Sequence, residues 1–107
     1  MKYEVLITKS AEDDLTSIYE YVFINDSPSK AERLFEKIQN AILELENFPN
    51  RGHIPPELDR INVSGFLEVN YKSYRIFYQV FDKKVYIHCI LDSRRNLLDI
   101  LQKRLIR

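Results

Sequence analysis

The chain has 107 residues, of which 45% are apolar and 30% carry a charge, and its formal net charge is zero. This composition is ordinary for a soluble globular protein, and the length predicts a single domain over residues 1–107. No apolar run approaches the roughly 20 residues of a membrane-spanning helix, so we expect no transmembrane helix and no membrane partner.

The chain opens with a predicted strand and a predicted helix. Apolar residues at Tyr3, Val5 and Ile7 alternate along residues 2–8, which is typical of a strand. Ser10 is the predicted start of the helix, because Ser10-Ala-Glu-Asp13 resembles a capping box with acids in the first turn. The apolar stripe of this helix comprises Ala11, Leu15, Ile18, Tyr19, Val22 and Phe23.

A second helix follows after a short connection. Ser27 suits the N-cap position and Pro28 suits the first helical position. The apolar stripe of this helix continues towards Phe48-Pro49 and comprises Ala31, Leu34, Phe35, Ile38, Ala41, Ile42 and Leu45. The short connection predicts an antiparallel helical hairpin. We expect its apolar side to pack on a sheet, and binding of a partner helix is the alternative.

Residues 49–65 predict a loop, because three prolines and two glycines fall within them. Arg51, His53 and Glu57 lie in this loop, and we expect them to shape it. An approach of these side chains to the edge of the sheet is the alternative. A short strand over residues 66–70 and a turn at Lys72-Ser73 follow.

Residues 74–91 predict a β-hairpin. A two-residue turn at Asp82-Lys83 would pair Phe81 with Lys84 and therefore Arg75 with Ile90. Strict alternation then gives one apolar face, expected to be buried: Tyr74, Ile76, Tyr78, Val80, Val85, Ile87, Cys89 and Leu91. The opposite face is mixed and carries Arg75, Phe77, Gln79, Tyr86, His88 and Ile90.

The last predicted element is a helix. Asp92 or Ser93 is its expected cap, and its apolar side comprises Leu97, Leu98, Leu101 and Leu105. Its last turn carries Lys103, Arg104 and Arg107, which suit the negative end of the helix dipole. The elements occur in the order β-α-α-β-β-β-α, which predicts an α+β fold. In this fold a mostly antiparallel sheet carries the helical hairpin on one face.

Few residues indicate a metal, a cofactor or a redox function. Cys89 is the single cysteine, so no disulfide can form within the chain, and we expect a buried packing residue in a cytoplasmic protein. His53 and His88 lie far apart in sequence without a supporting cluster of ligands. We therefore expect no metal site and no cofactor.

The zero net charge hides an uneven distribution. Residues 1–50 carry ten acids and five bases, whereas residues 51–107 carry eleven bases and six acids. We interpret the acidic half as solvated helix faces. The clustered arginines of the basic half are candidates for binding an acidic partner.

Several stretches together resemble the RelE/ParE superfamily of bacterial toxins from type II toxin–antitoxin systems of the plasmid stabilisation type. They are YRIFYQV at 74–80, DSRRNL at 92–97, FPNRGHIPPEL at 48–58, and the pattern Asp14-Leu15-Ile18-Tyr21. The resemblance implies a RelE/ParE-like fold with a small sheet on a helical hairpin. It also implies a partner antitoxin, and binding to promoter DNA only through that antitoxin.

RelE-like members of the superfamily are ribonucleases that cut messenger RNA on the ribosome. The resemblance then makes Arg75 the residue that stabilises the phosphorane charge, with Arg95 as a second family arginine and His88 as a candidate base. These ribonucleases usually add a tyrosine, or a histidine–tyrosine pair, near the C-terminus. Residues 97–107 contain neither residue type, so the acid–base set is incomplete.

ParE-like members instead poison DNA gyrase, and the resemblance favours this branch. The candidate target-binding residues are Arg75, Arg94, Arg95, Lys103 and Arg104. The candidate antitoxin-binding residues are Tyr19, Tyr21 and Phe23, because a domain of this size carries more aromatic residues than its core requires. A third interpretation is an inactive remnant that acts only in an antitoxin-dependent repressor complex on promoter DNA.

Overall fold

Four strands form one sheet: β1 (Glu4–Ile7), β2 (Leu67–Tyr71), β3 (Tyr74–Phe81) and β4 (Lys84–Asp92), in the spatial order β1-β4-β3-β2. The computed structural model describes residues 2–106. Strand β1 pairs with β4 in parallel, and the other two pairings are antiparallel, which confirms the predicted α+β fold with a mostly antiparallel sheet. The elements are β1 Glu4–Ile7, α1 Lys9–Asn25, α2 Pro28–Leu43, α3 Pro56–Arg60, β2 Leu67–Tyr71, β3 Tyr74–Phe81, β4 Lys84–Asp92 and α4 Leu97–Leu105.

The helical hairpin forms as predicted, with one error at its start. The N-cap of α1 is Thr8, whose side chain accepts a hydrogen bond from the Ala11 amide, so the prediction of Ser10 was wrong. Thr8 is the N-cap because it directly follows β1 and supplies a hydroxyl equivalent to that of Ser10 earlier in the chain. Ser27 caps α2 through the Lys30 amide, with Pro28 at the first helical position.

Two further elements differ from the prediction. The loop after α2 contains the short helix α3, which begins at the consecutive prolines and buries Leu58. Helix α4 begins at Leu97, after Asn96, which makes no side-chain capping bond, so neither Asp92 nor Ser93 is the cap. Leu98 is 37% exposed and does not belong to the buried side of α4.

The sheet buries apolar residues on both faces. The hairpin-side core joins α1 and α2 to the sheet and comprises Ala11, Leu15, Ile38, Ile42, Leu45, Val69, Ile76, Tyr78, Val85, Ile87 and Ile90. The outer core joins α3 and α4 to the opposite face and comprises Leu58, Phe77, Cys89, Leu91, Leu97 and Leu101. All residues of both cores are at most 6% exposed, so each face has its own layer of helix.

A β-bulge at His88 makes the register of the β3–β4 hairpin differ from the predicted one. The turn at Asp82-Lys83 pairs Phe81 with Lys84 as expected, but the pairing shifts between Phe77 and Tyr78, and Arg75 lies opposite Leu91 instead of Ile90. An extra residue in one strand reverses the alternation beyond it. Cys89 and Leu91 therefore lie in the outer core and Ile90 in the hairpin-side core, the reverse of the predicted faces.

Asp14 and Arg104 satisfy the backbone groups at this bulge. The Ile90 amide donates to Asp14 Oδ2 at 2.9 Å, and Arg104 Nη2 donates to the His88 carbonyl oxygen at 2.9 Å. Arg104 Nη1 also donates to both carboxylate oxygens of Asp14, at 2.8 and 2.9 Å. This ion pair joins α1, β4 and α4 at the point where the sheet ladder is interrupted.

Candidate functional site

Arg75 lies within a cluster of carboxylates on the outer face of the sheet. Its Nε donates to Glu68 Oε2 at 2.6 Å, and its Nη1 and Nη2 donate to the two carboxylate oxygens of Glu57 at 2.6 and 2.7 Å. The Arg75 side chain is 12% exposed and the Glu68 side chain 2% exposed. Each nitrogen of the guanidinium therefore faces a carboxylate inside the protein. The hydrogen bond from Arg75 lowers the pKa of Glu57.

The loop after α2 is fixed against this cluster. His53 and Glu68 exchange backbone hydrogen bonds at 3.0 and 2.8 Å, and His53 Nε2 lies 2.6 Å from Glu68 Oε1. The Gly52 amide donates to Tyr78 Oη, which in turn donates to the Pro49 carbonyl oxygen. A Cβ at Gly52 would lie 2.6 Å from both Glu68 O and Tyr78 Oη, so only glycine fits there.

His88 is held on the same outer face but binds other partners. Its Nε2 lies 2.8 Å from Gln79 Oε1, and its ring contacts Phe66 edge-on at 5.8 Å. The Gln79 side chain therefore occupies the Nε2 position of His88. Burial, and secondarily Arg104, lowers the pKa of His88 below 6.5.

Arg94 and Arg95 lie at the open end of the sheet. Arg94 forms an ion pair with Asp92 and is fully exposed otherwise, and the Arg95 amide donates to the Asp92 carbonyl oxygen. Both arginines line a cleft of about 350 Å³ between α1 and the ends of β3 and β4. The rest of the lining comprises Asp14, Ser17, Ile18, Tyr21, Tyr74, Ile90 and Asp92.

The five candidate target-binding residues therefore fall into two groups. Arg94, Arg95 and Lys103 are exposed. Arg75 and Arg104 are engaged in internal ion pairs and stabilise the fold. Sequence reasoning missed Glu68 as the partner of Arg75. The signal was available, because the predicted turn at Lys72-Ser73 places both residues on one face of the β2–β3 pair.

The three candidate antitoxin-binding residues also differ in exposure. Tyr21 is 66% exposed and Phe23 is 45% exposed, and their neighbour Ile24 is 78% exposed. Tyr19 is only partly accessible, because its ring packs on Phe23 at 5.9 Å and on Phe35 at 5.8 Å. The exposed apolar surface of α1 is therefore formed by Tyr21, Phe23 and Ile24.

Residues 2–106 show neither a metal cluster nor a membrane span. Within them, no three His, Cys, Asp or Glu side chains lie close enough to hold a metal ion. No helix in that range is long and apolar enough to cross a bilayer.

The fold is similar to that of two solved toxin–antitoxin structures. A chain of the chromosomal ParDE TA system from P. aeruginosa matches with a TM-score of 0.72 and 22% identity, over 85% of this chain and 96% of that one. A chain of the RelBE2 toxin–antitoxin complex from Mycobacterium tuberculosis matches with a TM-score of 0.64 and 21% identity, over 86% and 92%. The likeness shows a RelE/ParE toxin fold.

The sequence identifies the family more narrowly. No curated protein sequence matches the chain significantly. Residues 5–97 match the family described as ParE toxin of type II toxin-antitoxin system, parDE. This chain therefore belongs to the ParE toxin family, and the predicted membership of the RelE/ParE superfamily is confirmed.

Proposed function

We propose that this ParE-type toxin acts by inhibiting DNA gyrase and does not cut messenger RNA. The observation that carries the proposal is the position of Arg75 between Glu57 and Glu68. A ribonuclease of this superfamily needs that arginine to meet the charge of the reacting phosphate. Here a phosphate would have to displace two carboxylates, one of which is nearly inaccessible.

The titratable residues beside Arg75 are bound to other groups of the protein: Glu57 and Glu68 to Arg75, and His53 to Glu68. An arginine stays protonated at physiological pH and cannot exchange protons with a substrate. His88 has its Nε2 occupied by Gln79, and residues 97–107 contain no tyrosine and no histidine. General acid–base catalysis needs titratable groups within hydrogen-bond reach of the reacting atoms. These features support a toxin that acts by binding.

Arg94 and Arg95 are the residues that we assign to target binding. They are exposed, they line the cleft between α1 and the ends of β3 and β4, and the exposed Lys103 adds a further cation to this half of the chain. An exposed arginine can form bidentate bonds with carboxylates or phosphates of a partner at little cost in desolvation. A macromolecular target such as gyrase with its DNA offers both groups.

We infer that a small antitoxin neutralises the protein by covering α1. The two similar structures are both of toxin–antitoxin systems, which supports such a partner here. Tyr21 and Ile24 are exposed and lie three residues apart on one side of α1, where an amphipathic helix could bury them. Promoter DNA would then be bound through the antitoxin.

The test measures gyrase supercoiling and gyrase-dependent DNA cleavage with the purified protein. We expect inhibition of supercoiling, intact messenger RNA on translating ribosomes, and growth arrest on expression. Arg94→Glu with Arg95→Glu should weaken inhibition at least about tenfold, since reversing two exposed charges removes attraction and adds repulsion.

His88→Gln is the control and should retain inhibition. If His88→Gln abolishes toxicity in a folded protein and ribosome-bound messenger RNA is cut, the ribonuclease alternative is correct. Harmless expression at high level would support the inactive remnant instead.

A further inference from the structure

A second cleft continues the one that contains Arg94 and Arg95. It has a volume of about 380 Å³, lies between the two long helices and the β2–β3 turn, and shares Tyr74 with the first cleft. Because Tyr74 lines both, the two clefts meet there and make one groove at the start of β3. We call it the tyrosine–cation groove, and its defining residues are Tyr21, Tyr71, Tyr74, Arg33, Lys72 and Arg95.

The acids of this groove are already neutralised. Asp92 is paired with Arg94, Asp26 with Lys30, and Asp14 with Arg104. These pairs leave no carboxylate of the groove free to balance a further cation.

Three cations of the groove remain for a ligand. Among residues 2–106, Arg33, Lys72 and Arg95 form no ion pair with a carboxylate. The groove is therefore positive in a protein whose net charge is zero. Three cations along one groove suit a polyanion, which carries several charges, better than a single small anion.

Aromatic rings are interleaved with these cations. Tyr21 is 66% exposed and lines the same cleft as Tyr74 and Arg95. At the other end, the Lys72 ammonium lies 5.6 Å from the centre of the Tyr71 ring. Burial, and secondarily Asp92, raises the pKa of Tyr74, so its hydroxyl remains a hydrogen-bond donor at neutral pH.

We propose that the tyrosine–cation groove binds a short single-stranded segment of DNA. Arg33, Lys72 and Arg95 contact successive phosphates, and the tyrosine rings stack on unpaired bases. Cations combined with aromatic platforms are the usual means of binding single strands, because every base has a face that can stack. A duplex would keep its bases stacked on each other and leave Tyr21 without a partner.

The choice of DNA over RNA rests on the proposed function. A toxin that acts on gyrase works beside DNA, whereas a ribosome-dependent ribonuclease would work beside RNA. The groove shows no feature that requires a 2′-hydroxyl, which is the group by which proteins select RNA.

The test uses a fluorescein-labelled oligothymidylate of about twelve nucleotides, within the range of about 4–16 that single-strand sites cover. Binding to the whole protein is followed by fluorescence anisotropy at increasing NaCl. Arg33→Glu with Lys72→Glu should weaken binding at least about tenfold. It should also reduce the slope of log affinity against log salt by about 1.4, since each single-strand phosphate contact contributes about 0.7.

A matched control reverses two exposed cations outside the groove. Arg60→Glu with Lys84→Glu makes the same change in net charge on α3 and at the start of β4. We expect this variant to bind within about threefold of the wild type, because general charge contributes less than direct phosphate contacts. Equal weakening by both pairs would overturn the proposal.

The exposed Tyr21 tests the stacking without endangering the fold. Tyr21→Leu should weaken binding about tenfold, and Tyr21→Phe should retain it, because the ring makes the contact. Unchanged binding by Tyr21→Leu, or equal affinity for a duplex or an RNA of the same sequence, would overturn the proposal.

The two proposals fail separately. Inhibition of gyrase without oligothymidylate binding would refute the groove alone. Binding by the groove without inhibition of gyrase would refute the gyrase proposal alone.

Discussion

Arg75 and Arg95 are the same residue type in two opposite environments. Arg75 is 12% exposed, with carboxylates of Glu57 and Glu68 at all of its nitrogens, whereas Arg95 is exposed and lines a cleft. A motif position alone would give Arg75 the functional role. A guanidinium enclosed by its own carboxylates serves the fold, whereas an open one is available to a partner.

The largest expected effect comes from removing the enclosed arginine. Arg75→Ala leaves Glu57 and Glu68 without their cation, and we expect the free energy of unfolding to fall by about 3–5 kcal/mol. Arg95→Ala should change it by no more than about 0.5 kcal/mol, as for most exposed sites. Urea denaturation followed by far-ultraviolet circular dichroism measures both.

A further variant distinguishes two causes of the lost stability of Arg75→Ala: carboxylates left unpaired and packing contacts removed. Adding Glu57→Gln and Glu68→Gln to Arg75→Ala should recover part of the loss, because two unpaired charges are removed. A loss for Arg75→Ala no greater than that for Arg95→Ala would refute the distinction between the two arginines.

Arg104 provides an intermediate case. It pairs with Asp14 and donates to the His88 carbonyl oxygen, so we group it with Arg75 rather than with Arg95. Arg104→Ala should cost about 2–3 kcal/mol, the range for charged hydrogen bonds to groups that stay buried. Its neighbour Lys103 is exposed, and Lys103→Ala is the matched control with about 0.5 kcal/mol or less. Equal losses would show that the bulge does not need Arg104.

The smallest effect is a pH dependence that separates the two regions. His88 has a pKa below 6.5 in the fold, so unfolding takes up a proton as pH falls through that value, and stability decreases. Glu57 has a pKa below 4.5, so its stabilisation is present above pH 4.5 and is lost as pH falls below it. His88→Gln should remove the first decrease and leave the second, as measured by urea midpoints across pH. An unchanged profile in His88→Gln would contradict the assignment.

The local part of this fold was readable in the sequence. Ser27 with Pro28 predicted the start of α2 because the cap and the fixed proline angle act within one turn. The turn at Asp82-Lys83 fixed the pairing of Phe81 with Lys84, since two residues close that hairpin. Each of these features depends on neighbours in the chain.

The remaining features depend on contacts between distant residues. The bulge at His88 is stabilised by Asp14 and Arg104, which are 90 residues apart, and no local pattern announces it. Because one extra residue reverses every later side chain, this single miss exchanged the faces of Cys89 and Ile90. Of the candidate site, the sequence predicted a pair of charged residues on the surface, and Arg94 and Arg95 are exposed. The burial of Arg75 depended on carboxylates from two other segments.

The position of β4 also determines when the sheet can form during synthesis of the chain. This strand lies between β1 and β3, and Glu4 at the start of the chain pairs beside Lys84. The sheet therefore cannot close until residues 84–92 have been made, since contacts of long sequence separation form late and slowly. Until then the helical hairpin has been synthesised without the complete sheet on which its apolar side packs.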